Sequence, residues 1–203
     1  MKGRTWSEQL LKQALSLSPA DETEAVFWGL DEQLTRFANN AIHQNVAEEN
    51  GYLIVRAVVD GGIGQGATND LSEDGLARAV EAAAAAAQAS PPVAGFPGLP
   101  EPASAPQVSA FDEATAGCTP TYRAQAVRAI CRQAEEQDCN AFGAFRTGVH
   151  ELAVANSHGL FNHHAVTESD FTTVVMAEED GTGFATDASW RISDIDAVGH
   201  GEG

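Results

Sequence analysis

The stretch "HELAVA" at 150–155 raises the chemistry of a zinc peptidase. Such a site needs two histidines one helical turn apart, so that both imidazoles reach one ion. Positions 154 and 155 are Val and Ala, and His150, Leu152 and Val154 alternate with Glu151, Ala153 and Ala155. That period predicts a strand, with no metal site. Three more histidines, His158, His163 and His164, crowd into "NSHGLFNHHAV". Two of them could meet across a hairpin. No Cys or second carboxylate stands at ligand spacing, so they read as exposed strand or turn residues. Ser157 beside His158 is not a nucleophile–base pair, because strand neighbours point to opposite faces, and no G-x-S-x-G elbow occurs.

Residues 58–75, "VVDGGIGQGATNDLSEDG", read almost as a phosphate loop. Gly61 to Gly66 has the G-x-x-x-x-G spacing, with Thr68 in place of the loop hydroxyl. The lysine that meets the phosphates is missing, since Ala67 follows the last glycine. The dinucleotide pattern fails as well: Gly62 and Gly64 are followed by Ala67 where a third glycine belongs. "IGQGATND" predicts a strand entered by an Asp60-Gly61 turn, and the glycines read as scaffold. The residues themselves therefore predict no catalytic, metal-ligating or cofactor-binding side chain.

The elements that would position any site follow from periodicity. Residues 6–17 set Trp6, Leu10, Leu11, Ala14 and Leu15 on one helical face. Turn pairs Asn39-Asn40, Asn50-Gly51 and Asp60-Gly61 stand about ten residues apart, as in a meander. "YLIVRAVV" at 52–59 is nearly all apolar, which predicts a strand covered on both faces. A helix follows from Asn69, Asp70 or Ser72 as cap, with Glu73 and Asp74 at its positive end and a thin alanine run at 82–87. The Pro-rich stretch at about 90–110 predicts a surface connection. Residues 120–137 predict a helix with Pro120 in its first turn and Tyr122, Ala126, Val127, Ile130, Cys131 and Ala134 inward. A second meander carries turns at Thr147-Gly148, His158-Gly159 and Asp180-Gly181. The order predicts an α+β fold over a single domain, 1–203: a two-layer sandwich, a largely antiparallel sheet with helices packed on one side.

The chain has 203 residues, 43% of them hydrophobic, which suits a packed core. Its formal charge of −18, from 29 acids and 11 bases, opposes binding to nucleic acid or anionic membranes. Cys118, Cys131 and Cys139 form an odd set without a C-x-x-C pair, expected as free, mostly buried thiols in a reducing compartment. The start, "MKGRTWSEQLLKQAL", is amphipathic and reads as neither signal peptide nor anchor, so a cytoplasmic protein is expected.

Several stretches in order resemble the N-terminal region of the TldD/PmbA (TldD/TldE) family. They are "TRFANNAIHQNVAEENGYLIVRAVVDGGIGQGATNDLSEDGLARAVEAA" at 35–83 and "VANSHGLFNHHAVTESDFTTVVMAEEDGTGFATDASWRISDID" at 154–196. "NSHG" and "MAEEDG" look closer to the PmbA/TldE side. The resemblance implies a cytoplasmic chain about twice this length, with an N-terminal α/β domain and a C-terminal β-rich domain. It implies that TldD-type members are zinc metallopeptidases whose metal motif lies in that second half. They pair with a TldE-type chain that lacks the motif, and the pair degrades unfolded peptides and matures peptide precursors. Modulator of DNA gyrase is an older label. The second half is not in this sequence. The tail "IDAVGHGEG" echoes the zinc helix, but Ile195 and Asp196 stand where its His and Glu belong, leaving His200.

No zinc is therefore expected in this chain; zinc would reside in a TldD-type partner. The expected partners are that subunit or a second copy, and an unfolded peptide. The expected role is a chamber wall and docking domain, with 52–59, 63–69 and 170–177 as strands where a peptide could add. The glycines at 61–66 would admit its backbone. The alternative is a free-standing, non-enzymatic adaptor. A hydrolase built on the histidine cluster would carry bound zinc measurable by elemental analysis, and none is expected.

Overall fold

The computed structural model describes residues 1–177 and 181–196. The elements run α1 (Arg4–Ser16), β1 (Glu22–Ala38), β2 (Ala41–Val59), β3 (Gly62–Thr68), α2 (Glu73–Ala89), α3 (Glu113–Ala116), α4 (Pro120–Glu136), β4 (Cys139–Asn156), β5 (Phe161–Ala177) and β6 (Thr182–Ser189). The strands form a six-stranded sheet in the order β3-β2-β1-β4-β5-β6. The pair β2–β3 is antiparallel, with Leu53 opposite Thr68, and so is β5–β6, with Ser169 opposite Ser189. The α+β, antiparallel reading holds.

The chain divides into two compact units. The first comprises Met1–Leu30, Asn50–Val108 and Glu151–Ala165; the second comprises Asp31–Glu49, Ser109–His150 and Val166–Gly203.

In the first unit, α1 and α2 cover one face of the strands. Leu10, Leu11 and Ala14 of α1 and Leu76, Val80 and Ala83 of α2 share a core with Ala25, Phe27, Leu53, Val55, Ala57, Ala153 and Ala155. Each large side chain so buried contributes roughly 1.5–3 kcal/mol. Of the cap candidates, Ser72 caps α2: its Oγ accepts the Gly75 N–H at 3.3 Å. Asp70 instead accepts the Ser72 N–H and pairs with Arg78 at 2.6 Å. The Pro-rich connection has no regular structure, as expected, but it is tied down. Val93 N–H donates to Gly61 O, Leu99 N–H donates to Glu22 Oε2 at 2.6 Å, and Leu99 itself is buried.

In the second unit, α4 packs Val127, Ile130, Cys131 and Ala134 against Phe37, Ala141, Phe145 and Phe171. Phe145 meets Phe171 edge-on, with ring centroids 5.5 Å apart. The inward face expected for α4 needs one correction. Tyr122 is 46% exposed, and Arg123 beside it is fully buried. The short helix α3 was also unexpected, because four residues carry no periodicity. Its Asp112 cap accepts from Thr115 N–H at 2.8 Å.

The ten-residue meanders are overturned as well. Hairpins form at Asn39-Asn40 and Asp60-Gly61, where both central residues have positive φ. The His158-Gly159 turn also forms. Asn50-Gly51 and Thr147-Gly148 are not turns; β2 and β4 run straight through them for 19 and 18 residues. Gly51 is there for space: a Cβ would lie 2.9 Å from the Phe27 ring and 3.0 Å from Leu71. The Asp180 half of the third expected turn lies outside the described residues, as does His200.

Candidate functional site

Period-2 alternation in β4 turns Glu151 inward and His150 outward, so adjacent residues meet different surroundings. The Glu151 side chain is 2% exposed. Ser7 Oγ donates to its Oε1 at 2.9 Å, His163 Nε2 lies 2.8 Å from the same oxygen, and Lys2 N–H donates to Oε2 at 2.9 Å. Burial pushes this carboxyl up, but the bonds from His163, Ser7 and the Lys2 N–H outweigh it and hold it below its ordinary value. Serine, histidine and carboxylate thus come together, yet not as a triad. The carboxylate stands between the other two, so the hydroxyl has no imidazole to take its proton. The cluster fastens the start of α1 to the sheet of the first unit.

His163 is therefore no exposed strand histidine, which corrects the sequence reading; its side chain is 13% exposed and engaged with Glu151. His158 lies 3.3 Å from Glu22 and 3.2 Å from Glu101, and His164 is exposed. His150 belongs to the second unit. It lies 3.1 Å from Glu168, in a charged row where Arg146 meets Glu168 at 2.6 Å and Asp170 at 3.5 Å. Among the described residues no group of three or more His, Cys, Asp or Glu is placed to hold a metal ion. The zinc that the resemblance implies does not fit these residues. Ser157 Oγ accepts the Thr23 N–H at 3.1 Å. The three cysteines are free, with Cys118 and Cys131 buried, as expected. Burial pushes the Cys131 thiol up, assisted by the nearby Glu135.

The glycine-rich stretch is scaffold, for a reason the sequence did not show. Gly62, Gly64 and Gly66 alternate along β3 and face the backbone of α2. A Cβ on Gly62 would lie 2.6 Å from Ser90 O, and one on Gly64 would lie 2.7 Å from Ala86 C. The alanine run and the glycines are two halves of one close contact. The backbone admitted by these glycines is α2, not an incoming peptide. The proposed peptide surface changes accordingly. Residues 52–59 lie in β2, between β3 and β1, and 170–177 lie in β5, between β4 and β6. Of the three stretches, only 63–69, in β3, belongs to an edge strand; β6 forms the other edge.

Two features were missed. Arg123 is buried without a carboxylate: its guanidinium donates to Thr35 Oγ1 (3.2 Å), Gln33 Oε1 (3.0 Å), Thr147 Oγ1 (3.1 Å) and Cys118 O (3.3 Å). These bonds come from Nε and Nη1, while Nη2 is buried with no hydrogen-bond partner among the described residues, and a lone arginine in an otherwise apolar helix stripe gives no sign of either. The second lies on the opposite side of the first unit's strands from its helices. Trp28, Leu30, Tyr52, Ile54 and Ala67 line a hollow of about 320 Å³. Trp28 is 48% exposed and Leu152 is 51% exposed. This corrects the reading of "YLIVRAVV" as covered on both faces: Leu53, Val55 and Ala57 are buried in the helix-covered core, but Tyr52 on the other face is 38% exposed. Among the described residues no helix is long and apolar enough to cross a membrane.

Residues 31–87 match the family model described as PmbA/TldA metallopeptidase domain 1. No curated protein is significantly similar in sequence. Among solved structures, TldE from Thermococcus kodakarensis is similar with a TM-score of 0.82 at 19% identity, over 96% of this chain and 45% of that one. A candidate modulator of a DNA gyrase from Thermotoga maritima has a TM-score of 0.80 at 13% identity, over 96% and 46%. A second candidate modulator of DNA gyrase, from Bacteroides thetaiotaomicron, has 0.76 at 14%, over 100% and 49%. At these identities the likeness is one of fold, and this chain spans about half the length of each. Residues 31–87 thus resemble domain 1 of the PmbA/TldA metallopeptidases, and the chain as a whole shares its fold with the matched half of these solved structures.

Proposed function

We propose that this chain is a docking and chamber-wall domain of a TldD/PmbA-type protein acting in proteolysis or maturation of peptides, without a catalytic centre of its own. The uncovered apolar surface around Trp28 and Leu152 carries the reading. A chain of charge −18 keeps large apolar side chains on an open sheet face, where water would be displaced by a protein surface. The partner is a TldD-type subunit, and the metal chemistry is that subunit's. The β3 edge offers unpaired main-chain groups to an extended peptide, a mode that tolerates many sequences.

The test mixes the chain with a TldD-type subunit and follows the complex by size-exclusion chromatography. Trp28→Lys with Leu152→Lys abolishes the complex while leaving the fold intact. A complex that survives both changes, or none with the unaltered chain, refutes the reading.

A further inference from the structure

The second unit carries a groove of about 420 Å³ between α4 and the start of β2. Its lining combines Ala41, Ile42 and Val127 with Arg128, Arg132 and a single carboxylate, Glu135. Arg128 and Arg132 stand one helical turn apart, so they share a face of α4, and like charges at that spacing weaken a helix. Neither lies within ion-pair distance of an acid among the described residues, whereas Arg56, Arg78, Arg146 and Arg191 all do. In a chain of 29 acids and 11 bases, two unpaired guanidiniums beside an apolar floor are a local inversion of charge. Ile42 at the rim is 43% exposed.

A backbone feature adjoins the groove. Every residue of β2 from Ala41 to Glu49 is exposed. β3 pairs with β2 only over Leu53–Val59, so on that side the first half of β2 has no strand beside it among the described residues.

We propose that this groove binds the C-terminal residue of an extended peptide. The free carboxylate is held by the Arg128 and Arg132 guanidiniums, whose planar N–H forks match carboxylate geometry. The apolar side chain of that residue lies on Ile42, which is exposed at the rim. The preceding residues run antiparallel to β2 along its unpaired edge, by main-chain hydrogen bonds. The recognised group is an apolar residue bearing a free carboxylate. The strand edge selects a peptide over a free amino acid of the same chemistry. The site belongs to the second unit and the Trp28 surface to the first, and the proposal stands or falls independently of the docking role.

The experiment uses the full 203-residue chain and fluorescence polarisation. The probe is a six-residue peptide, labelled at its N-terminus and ending in Leu-Phe, made as the free acid and as the C-terminal amide. The acid binds about tenfold more tightly than the amide, and salt of about 0.5 M removes most of that difference. Arg128→Gln with Arg132→Gln, both at exposed positions, brings the acid down to the affinity of the amide. Unlabelled N-acetylphenylalanine displaces the peptide only at much higher concentration. Equal binding of acid and amide, discrimination that survives the double variant, or no binding at all overturns the proposal. Displacement by N-acetylphenylalanine as effective as by the peptide also overturns it, in favour of a small-carboxylate site.

Discussion

Gly64→Ala tests the reading that the glycine-rich strand exists to let α2 lie against β3. An alanine Cβ at this position would lie within van der Waals contact of Ala87 N and Ala83 O, and 2.7 Å from Ala86 C. All three are backbone atoms of α2, so no rotamer change relieves the overlap, and helix and strand must separate. Overpacking of a filled site costs about 1–3 kcal/mol, and obstruction by backbone places this case near the upper end. Losing a glycine from the unfolded chain returns about 0.5–1 kcal/mol, leaving a net loss of about 2 kcal/mol. For a chain of this size that lowers Tm by about 4–8 °C. Gly148→Ala is the matched control. It also lies in a strand without positive φ, but its nearest neighbour would be Asp31 O at 3.4 Å, an ordinary contact. It leaves Tm unchanged or raises it by about 1–2 °C. Thermal unfolding followed by circular dichroism reads both. A Gly64→Ala variant that loses no more than Gly148→Ala refutes the close-contact explanation.

Glu151 gives a pH prediction. Its folded pKa lies below the ordinary carboxylate value, so its contribution to stability is complete above the unfolded value and disappears as pH falls through the lower, folded one. Glu151→Gln costs about 1–3 kcal/mol near pH 7 and flattens the acid limb of a Tm-against-pH curve; parallel curves for variant and parent count against it. Arg123→Ala leaves Gln33, Thr35 and Thr147 without their donor and opens a cavity, at a cost of about 3 kcal/mol in urea unfolding. A loss under about 1 kcal/mol would show that water replaces the guanidinium freely. Trp28→Lys and Leu152→Lys each change the stability of the isolated chain by less than about 0.5 kcal/mol, because both side chains are already half in water. A larger loss would mean they are packed within the chain and not available to a partner.

The sequence by itself determined most element types, the helix face of α1, the genuine hairpin turns at Asn39-Asn40 and Asp60-Gly61, and the failure of the phosphate-loop and zinc patterns. Those features rest on local physics: periodicity, capping, and the positive φ that two-residue hairpins require. The ordered stretches also carried the resemblance that the match over residues 31–87 supports. Tertiary structure alone decided why Gly51, Gly62, Gly64 and Gly66 are glycines, since a missing Cβ means either a turn or a close neighbour, and only the neighbour distinguishes them. It also decided that Glu151 meets Ser7 and His163, that Arg123 goes inward where Tyr122 was expected, and that Trp28 stays uncovered. Each of these depends on which distant segments share a face of the sheet. That pairing is set by the summed burial of many side chains, and no single stretch of sequence contains it.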